Sequence, residues 1–277
     1  MLLFGQGSRV AFWLEQDEAA RPLPCDPFDR RALRARLEEL RPGGDTTLLL
    51  DVCAGRPRRA EEAVKAAQEF SVWAEGRAVK PRVLLVGGDG VYGILNPGVA
   101  LREQDAAACD EDSQALLAVE RAVADLARRR GFGVAIARLF EVIDPRDPSP
   151  RLLDLAGRVQ AGRMKGIPEL GGTCDYLDAR DAAKALRALS GLADSPTVNV
   201  CSGRAVSGHD LVRAMVRLLR PADELRLMAQ VEAGSEAEAR KPIPWLVGNP
   251  AHFTAMVGFP ASTRAFEQTL KDACCLL

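Results

Sequence analysis

The residues with the clearest chemical meaning are two glycines that follow the first apolar run of the chain. In LLFGQGSRVA, Gly5 and Gly7 end a predicted strand where a helix opens, and Ala11 stands near a third small position. Bare backbone at such a turn can approach a pyrophosphate at the positive end of a helix, although glycine pairs after strands also form ordinary turns. The predicted phosphate-binding turn consists of Gly5, Gln6, Gly7, Ser8 and Arg9.

Arg9 and the segment after the first helix bear on which dinucleotide would fit this turn. The fork of donors on Arg9 can hydrogen-bond a ribose 2′-phosphate, or it can be solvated in the first helical turn. A second strand normally carries an acidic residue for the ribose 2′-hydroxyl, about 20 residues further on. The segment AARPLPCDPFD leaves little room for that strand, so we expect NADPH, with NADH as the alternative. Asp26 could contact the adenine, or could cap a helix predicted to begin near Phe28.

Short apolar runs that alternate with helical periodicity predict the elements that position the turn. Runs at 2–4, 48–54, 82–87, 134–139 and 197–201 indicate strands, and helices are predicted near 28–40, 57–75, 111–130, 151–161, 178–190, 208–219 and 262–273. The alternation predicts an α/β fold with a Rossmann-type doubly wound parallel sheet, because parallel strands need helices on both faces. We expect the loops after residues 5, 54, 87 and 139 to line a ligand site.

The chain changes character after residue 140, where proline content rises in EVIDPRDPSP and predicted strands become sparse. We predict an NADP-binding Rossmann domain over 1–140 and, over 141–277, mainly a smaller C-terminal substrate lobe with some elements returning to the sheet. Residues 144–163 are predicted to form a mobile cover over the substrate, since proline stiffens its start and the helix after Pro150 could close down. Tyr176 is expected to pack within the smaller lobe.

Composition limits the partners of the chain. With 277 residues, 47% hydrophobic and 27% charged content, and a formal net charge of −1, the sequence favours neither nucleic acid nor an acidic membrane as partner. A small-molecule substrate fits better. No run approaches a membrane span or a signal peptide, so we expect a cytoplasmic protein. The seven cysteines include no C-x-x-C pair and only two histidines are present, so neither a disulfide framework nor a metal site is expected.

Seven segments in chain order carry a family resemblance. They are LLLDVCA, GGDGVYG with Glu103, ALLAVERAV, RRRGFGVAIARLFEVIDP, CDYLDARDAAKAL, TVNVCSGRAVSGHDL and VGFPAS. In this order they resemble motifs of the extended short-chain dehydrogenases of the nucleotide-sugar epimerase and dehydratase type, nearly end to end. The resemblance implies a nicotinamide cofactor held, beyond the phosphate turn and Asp26, by Cys53, Ala54, Gly87, Gly88, Leu139 and Phe140. The substrate contacts assigned on the same basis are Tyr92, Glu141 and Asp144.

The catalytic positions of that family are altered in this chain. Family members use a Ser or Thr that orients the carbonyl, a Tyr that gives or takes the proton, and a Lys that lowers the pKa of the Tyr. Here the three positions hold Gly88, Asp112 and Leu116. Asp112 has an ordinary pKa of about 4, which makes it a poor donor at neutral pH, and it could instead belong to a first helical turn capped by Asp110. Tyr92 and Ser113 are weak candidates for a replacement donor, with packing and capping as their other roles.

Three functions are compatible with this pattern. The first is an NADPH-dependent ketoreductase that reduces an aromatic polyketide in antibiotic biosynthesis and takes its proton from a substrate hydroxyl or from water. In lacking the triad, the chain resembles the atypical ketoreductases of angucyclinone biosynthesis, of the simocyclinone type. The second is a non-catalytic NADP-binding sensor or scaffold. The third, a nucleotide-sugar epimerase or dehydratase, ranks last because oxidising a sugar hydroxyl needs a positioned base. The retained glycine turn, VYG and RLF favour the reductase.

Overall fold

The computed structural model describes residues 2–5, 10–16, 18, 20–23, 25–40, 44–52, 57–75, 77, 79–93, 98–167, 172–192, 196–235 and 245–275. Most of the predicted phosphate turn, from Gln6 to Arg9, lies outside these residues, as do Cys53 and Ala54. The strands are β1 (Leu2–Gly5), β2 (Ala20–Leu23), β3 (Gly44–Asp51), β4 (Val79–Gly88), β5 (Gly133–Leu139), β6 (Glu141–Ile143), β7 (Thr173–Cys174), β8 (Tyr176–Asp178), β9 (Thr197–Val200), β10 (Val206–Ser207) and β11 (Trp245–Leu246).

Six of the strands form one parallel sheet in the order β2-β1-β3-β4-β5-β9. The central strands are apolar on both faces, as Leu48 to Leu50 illustrate, because helices cover the sheet on each side. The predicted Rossmann-type doubly wound α/β fold is confirmed. The expectation that AARPLPCDPFD leaves little room for a second strand is wrong, because β2 begins in this segment. β2 pairs with β1 over four residues, and it can include Pro22 because it lies at the edge of the sheet.

The helices divide between the two faces of the sheet. They are α1 (Ala11–Leu14), α2 (Arg30–Glu39), α3 (Pro57–Ala74), α4 (Glu111–Arg130), α5 (Pro150–Gln160), α6 (Ala179–Ser190), α7 (Gly208–Leu219), α8 (Glu224–Ser235), α9 (Ala251–Val257) and α10 (Phe266–Cys274). α1, α6 and α9 pack on one face, and α2, α3 and α4 pack on the other. Among the described residues, no helix is long and apolar enough to cross a membrane.

The strand order creates a crevice at one edge of the sheet. From β1 the chain passes to β2 on one side, whereas β3, β4 and β5 follow one another on the other side. Ligands of open α/β sheets bind at such a switch point, outside the carboxyl ends of the strands. The ends of β1, β3, β4 and β5 therefore define the candidate site.

The second lobe has its own apolar core, built from α5, α7, α8 and α10 together with β6 and β8. The predicted mobile cover over 144–163 does not match this arrangement. Leu152, Leu155 and Val159 of α5 are 5% exposed or less and contact the core of the lobe, which anchors the helix. α8 and α9 were not expected from the sequence. β9 returns to the main sheet beside β5.

Candidate functional site

The carboxyl ends of β4 and β5 bring together four residues that the family resemblance assigns to a cofactor. Gly87 and Gly88 lie opposite Arg138 and Leu139 in the strand register, and Phe140 follows directly. Gly87 is buried, and a Cβ there would lie 3.6 Å from Glu120 Oε1, whereas Gly88 is partly exposed and leaves backbone without a side chain. The side chains of Leu139 and Phe140 are buried and point into two different apolar clusters. Of these four residues, Gly88 alone is partly exposed, so a ring could approach the carboxyl ends of β4 and β5 at its backbone.

None of the three altered catalytic positions has a hydroxyl, a phenol or an amine. Gly88 has extended backbone, and Asp112 is exposed in the first turn of α4. Leu116 is half-buried, and its Cδ1 lies 3.2 Å from the position that a Cβ on Gly90 would occupy. Leu116 thus belongs to an apolar cluster with Val91 and offers no hydrogen bond to a ribose.

Ser113 is committed to the start of α4. Its backbone N–H donates to Asp110 Oδ1 at 2.7 Å, and its Oγ accepts from the Asp110 N–H at 3.0 Å. This reciprocal pair is a capping box, and Ser113 is fully buried. The hydroxyl also donates to the Asp110 carbonyl at 3.0 Å. Ser113 therefore has the capping role and is not placed to donate to a substrate.

Tyr92 is fully buried in a polar network beneath the carboxyl ends of β4 and β5. Its side chain is 0% exposed, its hydroxyl donates to Asn199 Oδ1, and it accepts from Arg138 Nη1 at 3.2 Å. Burial raises the pKa of Tyr92 to about 12, although Arg138 acts in the opposite direction. The ring packs against Phe140 with 5.9 Å between centroids. This geometry argues against the predicted role of Tyr92 as donor or substrate contact, since no face of the phenol is open.

A buried ion pair anchors the same network. Arg138 donates through Nε and Nη2 to the two carboxylate oxygens of Glu120, at 2.9 and 2.7 Å, and through Nη1 to the carbonyl of Glu103 at 2.7 Å. Burial lowers the pKa of Arg138, but its bonds to Glu120 outweigh burial and hold that pKa above its ordinary value. The pair joins α4 to β5, so the helix that carries the altered catalytic positions is fixed against the sheet.

A second set of polar residues, the cleft group of Asp89, Glu141, Arg151, Cys174 and Tyr176, lies between the carboxyl end of β4 and the second lobe. Asp89 follows β4, Glu141 begins β6 opposite Tyr176, and Arg151 lies in the first turn of α5. All three act electrostatically on Cys174, whose thiol pKa is raised by burial and lowered by Arg151. Tyr176 also lowers the pKa of the Cys174 thiol, and burial raises the pKa of Tyr176 above its ordinary value.

The sequence singled out Glu141 in this cleft group but missed Asp89, Arg151 and Cys174. Asp89 directly follows Gly88, and that adjacency was the signal that could have identified it. Cys174 and Arg151 gave no such signal, because only the fold of the second lobe brings them near the sheet edge. Tyr176 packs against Phe266 of the lobe, with 5.4 Å between ring centroids, while its hydroxyl end contacts the cleft group.

Asp144 links the two lobes. Trp13 Nε1 of α1 donates to Asp144 Oδ1 at 3.1 Å, and the Arg146 N–H donates to the same oxygen at 3.0 Å. The Arg146 guanidinium lies 3.4 Å from the centre of the Phe12 ring. Asp144, predicted as a substrate contact, thus holds its own turn against α1.

Asp26 lies beyond the end of β2, in an exposed turn. Its Oδ1 accepts from the Phe28 N–H at 3.0 Å, whereas the cap of α2 is Asp29, which accepts from Arg31 and Ala32. The alternative role of Asp26 as the helix cap is therefore wrong, and the helix begins at Arg30. Its predicted adenine contact stays a prediction.

Asp175 fixes the loop that follows β9. The carboxylate is 0% exposed and accepts from the backbone of Ser202 at 2.7 Å, Gly203 at 2.7 Å and Gly248 at 3.3 Å. Burial raises the pKa of Asp175, and these hydrogen bonds act in the opposite direction. The loop after β9 is thereby held at the same edge of the sheet as the candidate site.

Comparison with known proteins gives the fold relationship. No family model and no curated protein matches the chain. Among solved structures, RMD from Pseudomonas aeruginosa complexed with NADPH is similar with a TM-score of 0.74 at 16% identity, over 99% of this chain and 98% of that one. UDP-glucose 4-epimerase from Thermotoga maritima with UDP-glucose has a TM-score of 0.74 at 13% identity, over 98% and 96%.

A third solved structure extends this result. dTDP-glucose 4,6-dehydratase from Bacillus anthracis, in complex with NAD, has a TM-score of 0.71 at 13% identity, over 98% of this chain and 94% of that one. At such low identities the similarity shows the fold alone. The chain therefore has, over nearly its whole length, the architecture of these epimerase, dehydratase and RMD structures.

Proposed function

We propose that this chain is an NADPH-dependent ketoreductase whose substrate supplies its own proton, with NADH as the alternative cofactor. The observation that carries the proposal is the combination at the sheet edge. Gly88 leaves partly exposed backbone without a side chain where a nicotinamide could approach, while the acid positions hold Gly88, Asp112 and Leu116. The nearest phenol, Tyr92, is sealed.

The cofactor part of the proposal draws on the edge itself and on the similar solved structures. RMD was crystallised with NADPH and the Bacillus anthracis dehydratase with NAD. A bound reduced nicotinamide supplies the hydride. The chain's own contribution is positioning: the backbone at Gly88 admits the ring, and the apolar cluster around Leu116 and Phe140 excludes water from that side.

The proposed source of the proton is a hydroxyl of the substrate, and water is the alternative source. A ketone with a neighbouring phenol is polarised by its internal hydrogen bond, so the absence of a protein acid costs it little. Positioned acid catalysis contributes about 10² to 10⁴ in rate, which a ketone without such a hydroxyl would lose. An aromatic polyketide of the angucyclinone type, acted on in antibiotic biosynthesis, has this chemistry, and we propose this substrate class.

The charge of the cleft argues for a neutral substrate. Among the cleft residues described, Asp89 and Glu141 are acidic and Arg151 is basic, so they sum to −1. The pyrophosphate of a nucleotide sugar would be repelled there more than a neutral ketone. The epimerase or dehydratase reaction also needs a base for its first oxidation, and it remains the least favoured candidate.

A non-catalytic NADP-binding sensor or scaffold is the second candidate. It is favoured by the structural roles of the residues around the edge. Ser113 caps α4, Leu116 packs against Gly90, and Tyr92 belongs to the buried network. A protein that only binds cofactor needs no reacting side chain at these positions, so a direct measurement of turnover separates the two candidates.

The test pairs two ketones that differ in one group. The full chain is titrated with NADPH by fluorescence and then mixed with an aromatic ketone bearing an adjacent phenol, or with its O-methyl ether, while the reduced nicotinamide absorbance is followed. We expect oxidation with the phenol and a rate at least about 100-fold lower with the ether. Equal rates would refute the substrate-derived proton. Tight binding without oxidation by any hydroxyketone would favour the sensor.

Two phenol variants complete the experiment. Tyr92→Phe and Tyr176→Phe each remove one hydroxyl, the first from the buried network and the second from the cleft group. Both should retain kcat within about threefold, because neither phenol is the required acid under this proposal. A collapse of kcat in Tyr176→Phe alone would assign the proton to the cleft group instead of the substrate.

A further inference from the structure

A basic cavity of about 540 Å³ lies on the second lobe, at the C-terminal end of α5. It is lined by Asp154, Arg158, Gly162, Arg163, Lys165 and Gln230. Three of these six residues are cationic and one is acidic, in a chain whose formal net charge is −1. The cavity lining therefore has a net positive charge, whereas the chain as a whole is slightly negative.

Two more arginines lie behind this cavity, against Gly162. Arg220 Nη1 and Arg226 Nη2 would be 3.3 and 3.6 Å from a Cβ at Gly162. Both guanidinium groups form ion pairs with the same carboxylate, that of Asp223, at N–O distances of 2.6 and 3.0 Å. The five cations around the cavity thus face two acids, Asp154 and Asp223, which leaves an excess of three positive charges.

The backbone that carries Arg163 and Lys165 is held in place. Met164, between them, is 0% exposed in the core of the lobe, and its N–H donates to Gln230 Oε1 at 3.2 Å. Gly162 and Gly166 flank the segment at φ of +68° and +64°, a region where glycine is favoured. A buried anchor therefore separates two exposed cations whose side chains share one surface.

The lining offers donors and almost no free acceptor. Asp154 Oδ2 accepts from Arg158 Nε at 2.7 Å, which leaves the terminal nitrogens of Arg158 for a ligand. The carbonyl of Gln230 is used by Met164, so its amide NH₂ is the group that remains. Within the described residues, Arg163 and Lys165 have no acidic partner. A complementary ligand is rich in acceptors and negatively charged.

We propose that this cavity binds a small molecule through a phosphate group. A phosphate monoester carries a charge of about −1.5 to −2 and three strong acceptor oxygens, and guanidinium forks bind such oxygens in pairs. The volume falls in the range of ligand pockets, about 300 to 1,000 Å³, and exceeds that of phosphate alone, so a small organic body is accommodated.

This site is separate from the cleft. Arg151, which belongs to the cleft group, lies at the start of α5. Gly162 lies just past the other end of the same helix. At 1.5 Å per residue, the helix places the two ends roughly 16 Å apart along its axis. A ligand in the basic cavity therefore leaves the candidate cofactor edge free, and the proposal does not depend on the proposed reductase activity.

The test is a titration of the full chain with pyrophosphate at low ionic strength, measured by isothermal titration calorimetry. The double variant Arg163→Gln/Lys165→Gln should weaken binding about tenfold or more, because two charged contacts are lost. Asp154→Asn should tighten binding about threefold, because it removes the acidic member of the lining. The matched control Arg36→Gln/Lys65→Gln removes two surface cations elsewhere, at ion pairs with Glu39 and Glu61, and should bind as the wild type does.

Three results would overturn the proposal. Wild-type affinity in the Arg163→Gln/Lys165→Gln variant would place the pyrophosphate elsewhere, for example at the predicted phosphate turn. Equal weakening in the control variant would reduce the effect to net charge. Citrate bound as tightly as pyrophosphate would show an anion site without preference for phosphate. The gain expected for Asp154→Asn supports the site independently, since no lost fold can produce tighter binding.

Discussion

Removal of Glu120 tests how much the buried ion pair contributes to the fold. Arg138 is 5% exposed, and Glu120 is 7% exposed. Glu120→Ala leaves Nε and Nη2 of the guanidinium without partners and its charge uncompensated. Breaking one side of a buried pair costs about 3 to 5 kcal/mol. Two charge-assisted hydrogen bonds at about 1.5 to 3 kcal/mol each give a similar figure.

The assay is urea unfolding at pH 7, followed by circular dichroism. Glu120→Ala should lower the free energy of unfolding by about 3 to 5 kcal/mol, and the double variant Glu120→Leu/Arg138→Met should recover most of it, because no charge is then buried alone. The exposed pair of Glu61 and Lys65, 3.5 Å apart, is the control. Glu61→Ala should cost less than about 0.5 kcal/mol.

Two results would refute this reasoning. A loss below about 1 kcal/mol in Glu120→Ala would mean that water reaches the Arg138 guanidinium despite its burial. A double variant as unstable as the single variant would mean that the shape of the side chains, and not the unpaired charge, dominates.

Three further predictions concern the network, the loop after β9 and the phosphate turn. The pKa of Tyr92 is about 12 in the folded chain, whereas that of an unfolded tyrosine is about 10. The stability that this difference contributes is therefore present below about pH 10 and is lost between about pH 10 and 12. Tyr92→Phe should flatten that decline in alkaline urea titrations, and an unchanged decline would contradict the assignment. Asp175→Ala should lower the free energy of unfolding by about 2 to 4 kcal/mol, since buried backbone donors of Ser202 and Gly203 lose their acceptor. Arg9→Ala should weaken NADPH about tenfold or more and NADH little, and equal losses in the two titrations would exclude a 2′-phosphate contact.

The central sheet could be predicted because its strands are continuous apolar runs. β3 and β4 are buried on both faces, so their composition identifies them without knowledge of their neighbours. β2 escaped prediction because it is four residues long, contains Pro22 and has only its terminal residues buried. Such an edge strand is defined by its pairing with β1, and sequence periodicity does not report pairing.

The packed face of α5 is a feature that the sequence does indicate. Leu152, Leu155 and Val159 follow the spacing of an amphipathic helix, and that spacing indicates a packed face. The prolines before α5 do not make the helix itself mobile. Ser149 caps the helix and Pro150 begins it, which is an ordinary way to start a stable helix.

The candidate site was predictable in its backbone and less so in its side chains. Gly88 and Leu139 meet as expected because they end neighbouring strands. The seal over Tyr92 depends on Asn199, which is 107 residues away in sequence. In the cleft group, Asp89 lies near Cys174. Only the packing of the second lobe brings these two residues together, and the sequence did not predict that packing. Long-range contacts of single polar residues leave no periodic trace in a sequence.

The return of β9 to the main sheet has a consequence for how the protein unfolds. A chain cut after residue 140 would lose β9, and β5 would then be an unpaired edge from Ile136 to Leu139. It would also lose α6, which covers one face of the same sheet. The two halves of the chain should therefore melt in one cooperative calorimetric transition, and proteolysis near residue 140 should leave no stable N-terminal fragment.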